Sequence, residues 1–140
     1  MSRSSSEQVQ LIIPPHPRYL SLARLLVGGI GAQSKLTVED LDDMKVAVSE
    51  AITNAIDHAY APDAPGEITV RYKPAEGELT VEVEDSGTGF EPGKLEHTLP
   101  ASTPEGGLGL FLARELADHL KVESSPGSGT KVTITKRAHG

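Results

Sequence analysis

The chain contains no cysteine, which excludes disulfides, thiolate zinc sites and a cysteine nucleophile. It has no tryptophan, two phenylalanines and three tyrosines, so its core has to be aliphatic. Basic charge is also in deficit. A net charge of −7 argues against a DNA- or RNA-binding protein, which needs a basic patch for phosphate. It leaves a bound nucleotide open, because a divalent cation and a few backbone N–H groups can hold polyphosphate in an acidic protein. No stretch approaches the roughly 18 apolar residues of a membrane span, and residues 1–6 lead into no apolar export segment. These absences point to a cytoplasmic protein. At 140 residues, 37% of them hydrophobic, the sequence fits one globular domain.

Residues 1–7 read as a flexible tail and 8–137 as the domain. Gln8 to Ile13 form a first strand stopped by Pro14, Pro15 and Pro17. Leu22, Leu25, Leu26 and Ile30 recur at helical spacing between Arg18 and Gln33, with Gly28, Gly29 and Gly31 weakening the last turns. Thr37 to Asp40 is a capping-box pattern that opens a second helix running to about Tyr60. Alternating runs at 67–73 and 78–85, separated by Pro74 to Gly77, predict a β-hairpin. Residues 86–107 hold five glycines and three prolines, and a loop of that length in a compact domain is usually a lid or a binding loop, here over about 90–106. A third helix is predicted from Gly107 to Leu120, then strands at 121–124 and 130–136 around the turn 125–129. The order βααββαββ lacks a steady βα alternation. It predicts an α+β fold: a two-layer α/β sandwich with a mixed, mainly antiparallel sheet covered by helices on one face.

On the second helix, Leu41, Met44, Val48, Ile52, Ala55, Ile56 and Ala59 fall on one broad arc, the core stripe. Glu50, Asn54 and Asp57 cluster opposite it, beside Val46 and Ala47. Such a mixture suits a half-buried ligand wall better than open surface. Asn54 offers a neutral oxygen to a hard cation such as Mg²⁺. Glu50, one turn earlier, can accept a proton from an attacking hydroxyl or water. An amphipathic helix with a solvated polar side is the plainer alternative, and His58 is equally suited to closing the helix C-terminus.

Leu79, Val81 and Val83 share one face of their strand, and Asp85 continues that parity toward the core. An inward carboxylate is costly without a partner. Ser86 to Gly89 follow at once, allowing close backbone approach. A carboxylate beside bare backbone can read a flat base such as adenine through its exocyclic amine, although an aspartate before glycine also nucleates ordinary turns. Gly106, Gly107, Leu108 and Gly109 open the third helix, where free N–H groups and the helix dipole favour an anion. Neither a Walker loop nor a dinucleotide-binding glycine fingerprint is present.

Glu50-x-x-x-Asn54-Ala, Asp85-x-Gly-x-Gly89, Gly107-x-Gly109 and Gly127-x-Gly-Thr130, in this order and at these separations, closely resemble the boxes of the histidine-kinase-like (GHKL, Bergerat) ATPases. Residues 47–60 look like the corresponding helix of bacterial anti-sigma-factor serine kinases of the RsbW and SpoIIAB type. No histidine-bearing helices precede it, as in that subgroup, and the resemblance spans about residues 8–137. Glu105 to Phe111 resembles the general-stress branch; the sporulation branch carries an arginine where Glu105 stands.

The resemblance implies the Bergerat fold with ATP/ADP and Mg²⁺ as cofactors. By carry-over, Glu50 is the catalytic base and Asn54 the Mg²⁺ ligand. Asp85 binds the adenine amine with Thr130 beside it, Gly87 and Gly89 shape the adenine pocket, and Gly107, Leu108 and Gly109 form the phosphate-binding turn. Arg24 matches a partner-facing position on the first helix. The implied function is an anti-sigma-factor serine/threonine kinase that sequesters a sigma factor and phosphorylates an anti-anti-sigma (STAS-domain) protein. It is implied to be a homodimer that touches neither nucleic acid nor membrane. A docking protein that binds nucleotide without transferring phosphate is the alternative, since Lys94 is the only lysine or arginine between Asp85 and Glu105.

Overall fold

The second helix starts where its cap dictates. In the computed structural model, which describes residues 7–59, 66–86, 107–125 and 129–138, Thr37 Oγ1 accepts from the Asp40 amide at 3.0 Å. Asp40 Oδ2 in turn accepts from the Thr37 amide at 3.1 Å. From this reciprocal cap, α2 runs Val38–Ala59. The preceding helix, α1 (Leu20–Gly31), lies between 3₁₀ turns at Pro17–Tyr19 and Ala32–Ser34, and Lys35, at φ 64°, turns the chain out of it. The buried residues of α1 are Ala23, Val27 and Gly31, one i,i+4 row, whereas Leu22 and Leu25 are exposed. Gly31 is not a weak point: a Cβ there would lie 2.5 Å from Leu41 Cδ2 and 3.2 Å from Leu79 Cδ2, so the missing side chain permits close packing.

Five strands form one sheet: β1 (Val9–Ile13), β2 (Ile68–Ala75), β3 (Glu78–Asp85), β4 (His119–Ser125) and β5 (Gly129–Arg137). Their spatial order is β1-β2-β3-β5-β4, and the antiparallel character expected of the sheet holds in all four ladders. Pro74 lies inside β2, where the sequence pattern placed a turn. It is tolerated because β1 begins at Val9, opposite Tyr72, so nothing pairs with β2 on that side at position 74.

The third helix, α3, covers Gly107–Leu116 and stops four residues short of the predicted end. Lys136 explains the stop: its ammonium donates to the Leu116 carbonyl at 2.7 Å and pairs with Asp43 of α2 at 3.3 Å. The Asp118 amide then donates to the Thr135 carbonyl, and His119 and Leu120 join β4.

One face of the sheet carries Ile68, Val70, Tyr72, Leu79, Val81, Val83, Val132 and Ile134 against the helices. Its other face bears cross-strand charge pairs such as Arg71–Glu84 at 2.6 Å and Lys73–Glu82 at 2.8 Å. α2 is the central helix, packed against both α1 and α3. Ala47 and Ala51 are therefore fully buried although they lie off the stripe that faces the sheet.

Tyr72, fully buried, donates its hydroxyl to the Ala23 carbonyl at 2.9 Å and ties α1 to the sheet. Burial raises its pKa well above the ordinary value of 10.0. With the folded value above the unfolded one, its contribution to stability is complete below pH 10 and is lost as pH rises further. Stability should fall by up to about 1.4 kcal/mol per pH unit from this group alone. Denaturant titrations at stepped alkaline pH, compared between the wild type and Tyr72→Phe, check this. The extra alkaline slope should disappear in the variant.

Candidate functional site

α2 presents its polar residues toward α3. Glu50 is partly buried, and its Oε1 would lie 2.7 Å from a Cβ built on Gly109 in the first turns of α3. A side chain at 109 would push that carboxylate from its place. One turn along α2, Asn54 is 6% exposed. Asp57, on the same side, is exposed. The side chain of His58 lies outside the described residues.

A second group gathers at the end of the sheet. Asp85 is inward-facing and 7% exposed, as its strand parity predicts, and Thr130, 6% exposed, is its direct cross-strand neighbour on β5. Gly129 has φ 84°, and a Cβ there would overlap the Asp85 carbonyl oxygen, so the start of β5 passes the end of β3 only as bare backbone. Ser124 of β4 completes the row: its hydroxyl lies 2.7 Å from Thr130 Oγ1 and donates to the Gly129 carbonyl at 3.1 Å.

Two clusters therefore stand on elements that pack together, since α2 contacts α3, β3 and β5. Glu50, Asn54 and Gly109 make up one, and Asp85 and Thr130 the other. Gly107 begins α3 as predicted. Leu108 belongs to the same helix, but its side chain lies outside the described residues, as do Gly87, Gly89 and the lid expected at about 90–106. Arg24 belongs to neither cluster. Its guanidinium donates to Ser49 Oγ at 3.1 Å from the α1 side, next to Glu50 in sequence. The sequence reading missed Ser49, Ser124 and Lys136, whose roles depend on long-range pairing; only the inward parity of Ser124 with Leu120 and Val122 hinted at its position.

The residues present fit Mg-ATP. The side-chain oxygen of Asn54 suits a cation that takes few protein ligands. The start of α3 offers free N–H groups and the positive end of a helix dipole to phosphate, and the buried carboxylate of Asp85 suits a donor on a base. Among the described residues no cluster of three or more His, Asp or Glu forms a metal cage, and no helix is long and apolar enough to cross a membrane.

Residues 13–136 match the histidine kinase-like ATPase domain. The chain is 38% identical to the serine-protein kinase RsbW of Bacillus velezensis, covering 98% of this chain and 89% of that one. It is 34% identical to RsbW of Bacillus subtilis, covering 99% and 90%, and 38% identical to RsbW of Listeria innocua, covering 93% and 87%. Among solved structures, the RsbU and RsbW domains of a Mycobacterium tuberculosis protein superpose with a TM-score of 0.67 at 22% identity, over 94% of this chain and 32% of that one. The histidine kinase domain of a blue-light-activated kinase from Erythrobacter litoralis gives 0.57 at 28% identity, over 89% and 61%. The chain belongs to the histidine kinase-like ATPase family and, within it, to the serine-protein kinases of the RsbW type.

Proposed function

We propose that this protein kinase binds Mg-ATP between α2, α3 and the ends of β3 and β5, phosphorylates an anti-anti-sigma (STAS-domain) protein on serine or threonine, and sequesters a sigma factor. The observation that carries the reading is the nearly buried side chain of Asn54 one turn from the Glu50 carboxylate that faces Gly109.

Bound Mg-ATP supplies the γ-phosphoryl group and the cation that neutralises its charge. Asn54 offers its side-chain oxygen to the cation, and Glu50 takes the proton of the attacking hydroxyl. The N–H groups at Gly107 to Gly109, at the start of α3, favour the phosphates. Asp85 and Thr130 read the base, with Gly87 and Gly89 shaping its pocket. Most of the rate enhancement then comes from positioning and charge neutralisation.

Arg24, flanked by the exposed Leu22 and Leu25, is the partner-contact candidate on α1. Phosphorylation adds negative charge to the acceptor, and docking against a chain of net charge −7 weakens, leaving the kinase free for the sigma factor. A homodimer in the cytoplasm completes the reading.

Incubation with γ-labelled ATP and the STAS partner tests it: label should appear on the partner, and ATP consumption should depend on that partner. Partner-independent release of phosphate would point to a simple ATPase. Asn54→Ala should lose the Mg²⁺-dependent part of ATP affinity in calorimetric titrations with and without the metal. Equal metal dependence in variant and wild type would remove Asn54 from the metal site.

A further inference from the structure

The hydroxyls at the end of the sheet can be assigned a direction. Ser124 Oγ contacts the Gly129 carbonyl at 3.1 Å and Thr130 Oγ1 at 2.7 Å. A serine hydroxyl has one proton, and a carbonyl oxygen can only accept. For both contacts to be hydrogen bonds, Ser124 donates to Gly129 and Thr130 donates its own proton to Ser124. Thr130 Oγ1 is then left with lone pairs alone for any other neighbour. Beside it across the ladder stands the inward carboxylate of Asp85, which when ionised is also acceptor-only.

We infer that Ser124 is a specificity-determining residue of the base site: by taking the proton of Thr130, it makes Asp85 and Thr130 a pair of acceptors that admits an exocyclic amine and rejects a carbonyl at the same position. The inference rests on the reading of Asp85 and Thr130 as the base-reading end of the ATP site. An adenine amine has two hydrogens for two acceptors. A 6-oxo purine brings an acceptor to the same place, leaving buried polar groups opposed and unpaired, which discriminates strongly. Ser124 acts through Thr130 and is a positioning residue. Without its hydroxyl, Thr130 is free to rotate and donate, and a carbonyl becomes tolerable on that side.

The test titrates Mg-ATP and Mg-ITP, which share their phosphates and sugar, into the wild type, Ser124→Ala, Ser124→Thr and Asp85→Asn, each checked for folding by thermal melting. The wild type should prefer ATP. Ser124→Ala should lower the ITP-to-ATP ratio of Kd values by about tenfold, chiefly by improving ITP binding, and Ser124→Thr, which keeps the hydroxyl, should restore the wild-type ratio. An unchanged ratio in folded Ser124→Ala, with Asp85→Asn still altering it, would overturn the role of Ser124 and leave the site reading intact. A wild type without preference, or a ratio insensitive to Asp85→Asn, would overturn both. A Ser124→Thr ratio as low as that of Ser124→Ala would show that packing, not the proton, is at work.

Discussion

Glu50→Gln should reduce phosphoryl transfer to the partner protein by about 10²- to 10⁴-fold, the usual contribution of a positioned general base, while ATP affinity stays unchanged. Glutamine has the shape of glutamate and keeps the packing on Gly109, so the substitution removes proton acceptance without opening a cavity. Initial rates of label transfer, set against calorimetric ATP affinity for the same preparation, separate the two effects. Parallel loss of binding and rate would make Glu50 part of the nucleotide wall and no base. A preserved rate would remove it from the chemistry.

Asp85→Asn should weaken ATP binding by about 100-fold, since a hydrogen bond to a buried charged group is worth about 1.5–3 kcal/mol. The side chain is inward, nearly inaccessible and paired across the ladder with Thr130. Asparagine replaces one acceptor oxygen with a donor and removes the charge, yet fills the same volume. The melting temperature should therefore hardly move while affinity collapses. An unchanged Kd in a folded variant would refute the assignment of the base to this end of the sheet.

Much of this architecture follows from local signals. The capping box at Thr37 and Asp40 sets the start of α2, and strict alternation over β3 places Asp85 on the inner face. Where the reading failed, a distant residue decided. The end of α3 is set by Lys136, twenty positions beyond Leu116, and no pattern within the helix announces it. The burial of Ala47 and Ala51 follows from α2 lying between two other helices, which periodicity alone cannot show. In α1 the leucines suggested one face, yet Ala23, Val27 and Gly31 are inside, because a close approach to α2 and the sheet selects small residues. The candidate site was legible as residue types at fixed separations. Its hydrogen-bond polarity, set by Ser124, was not, because that serine gains meaning only once β4 is paired with β5.

The position of β5 in the sheet also governs when this protein acquires its ligand during synthesis. β5, which follows the other four strands in the chain, is inserted between β3 and β4, and it brings Thr130 to Asp85. A nascent chain lacking it has Asp85 paired only with Ile68 of β2, without Thr130, and α2 has no β5 to rest on. Nucleotide then meets the complete base site only once β5 is in place, and it stabilises the finished domain by mass action. Release of a chain truncated before Gly129 should yield a species that cellular ATP does not protect from proteases, whereas a chain that includes β5 gains that protection once this strand is in place.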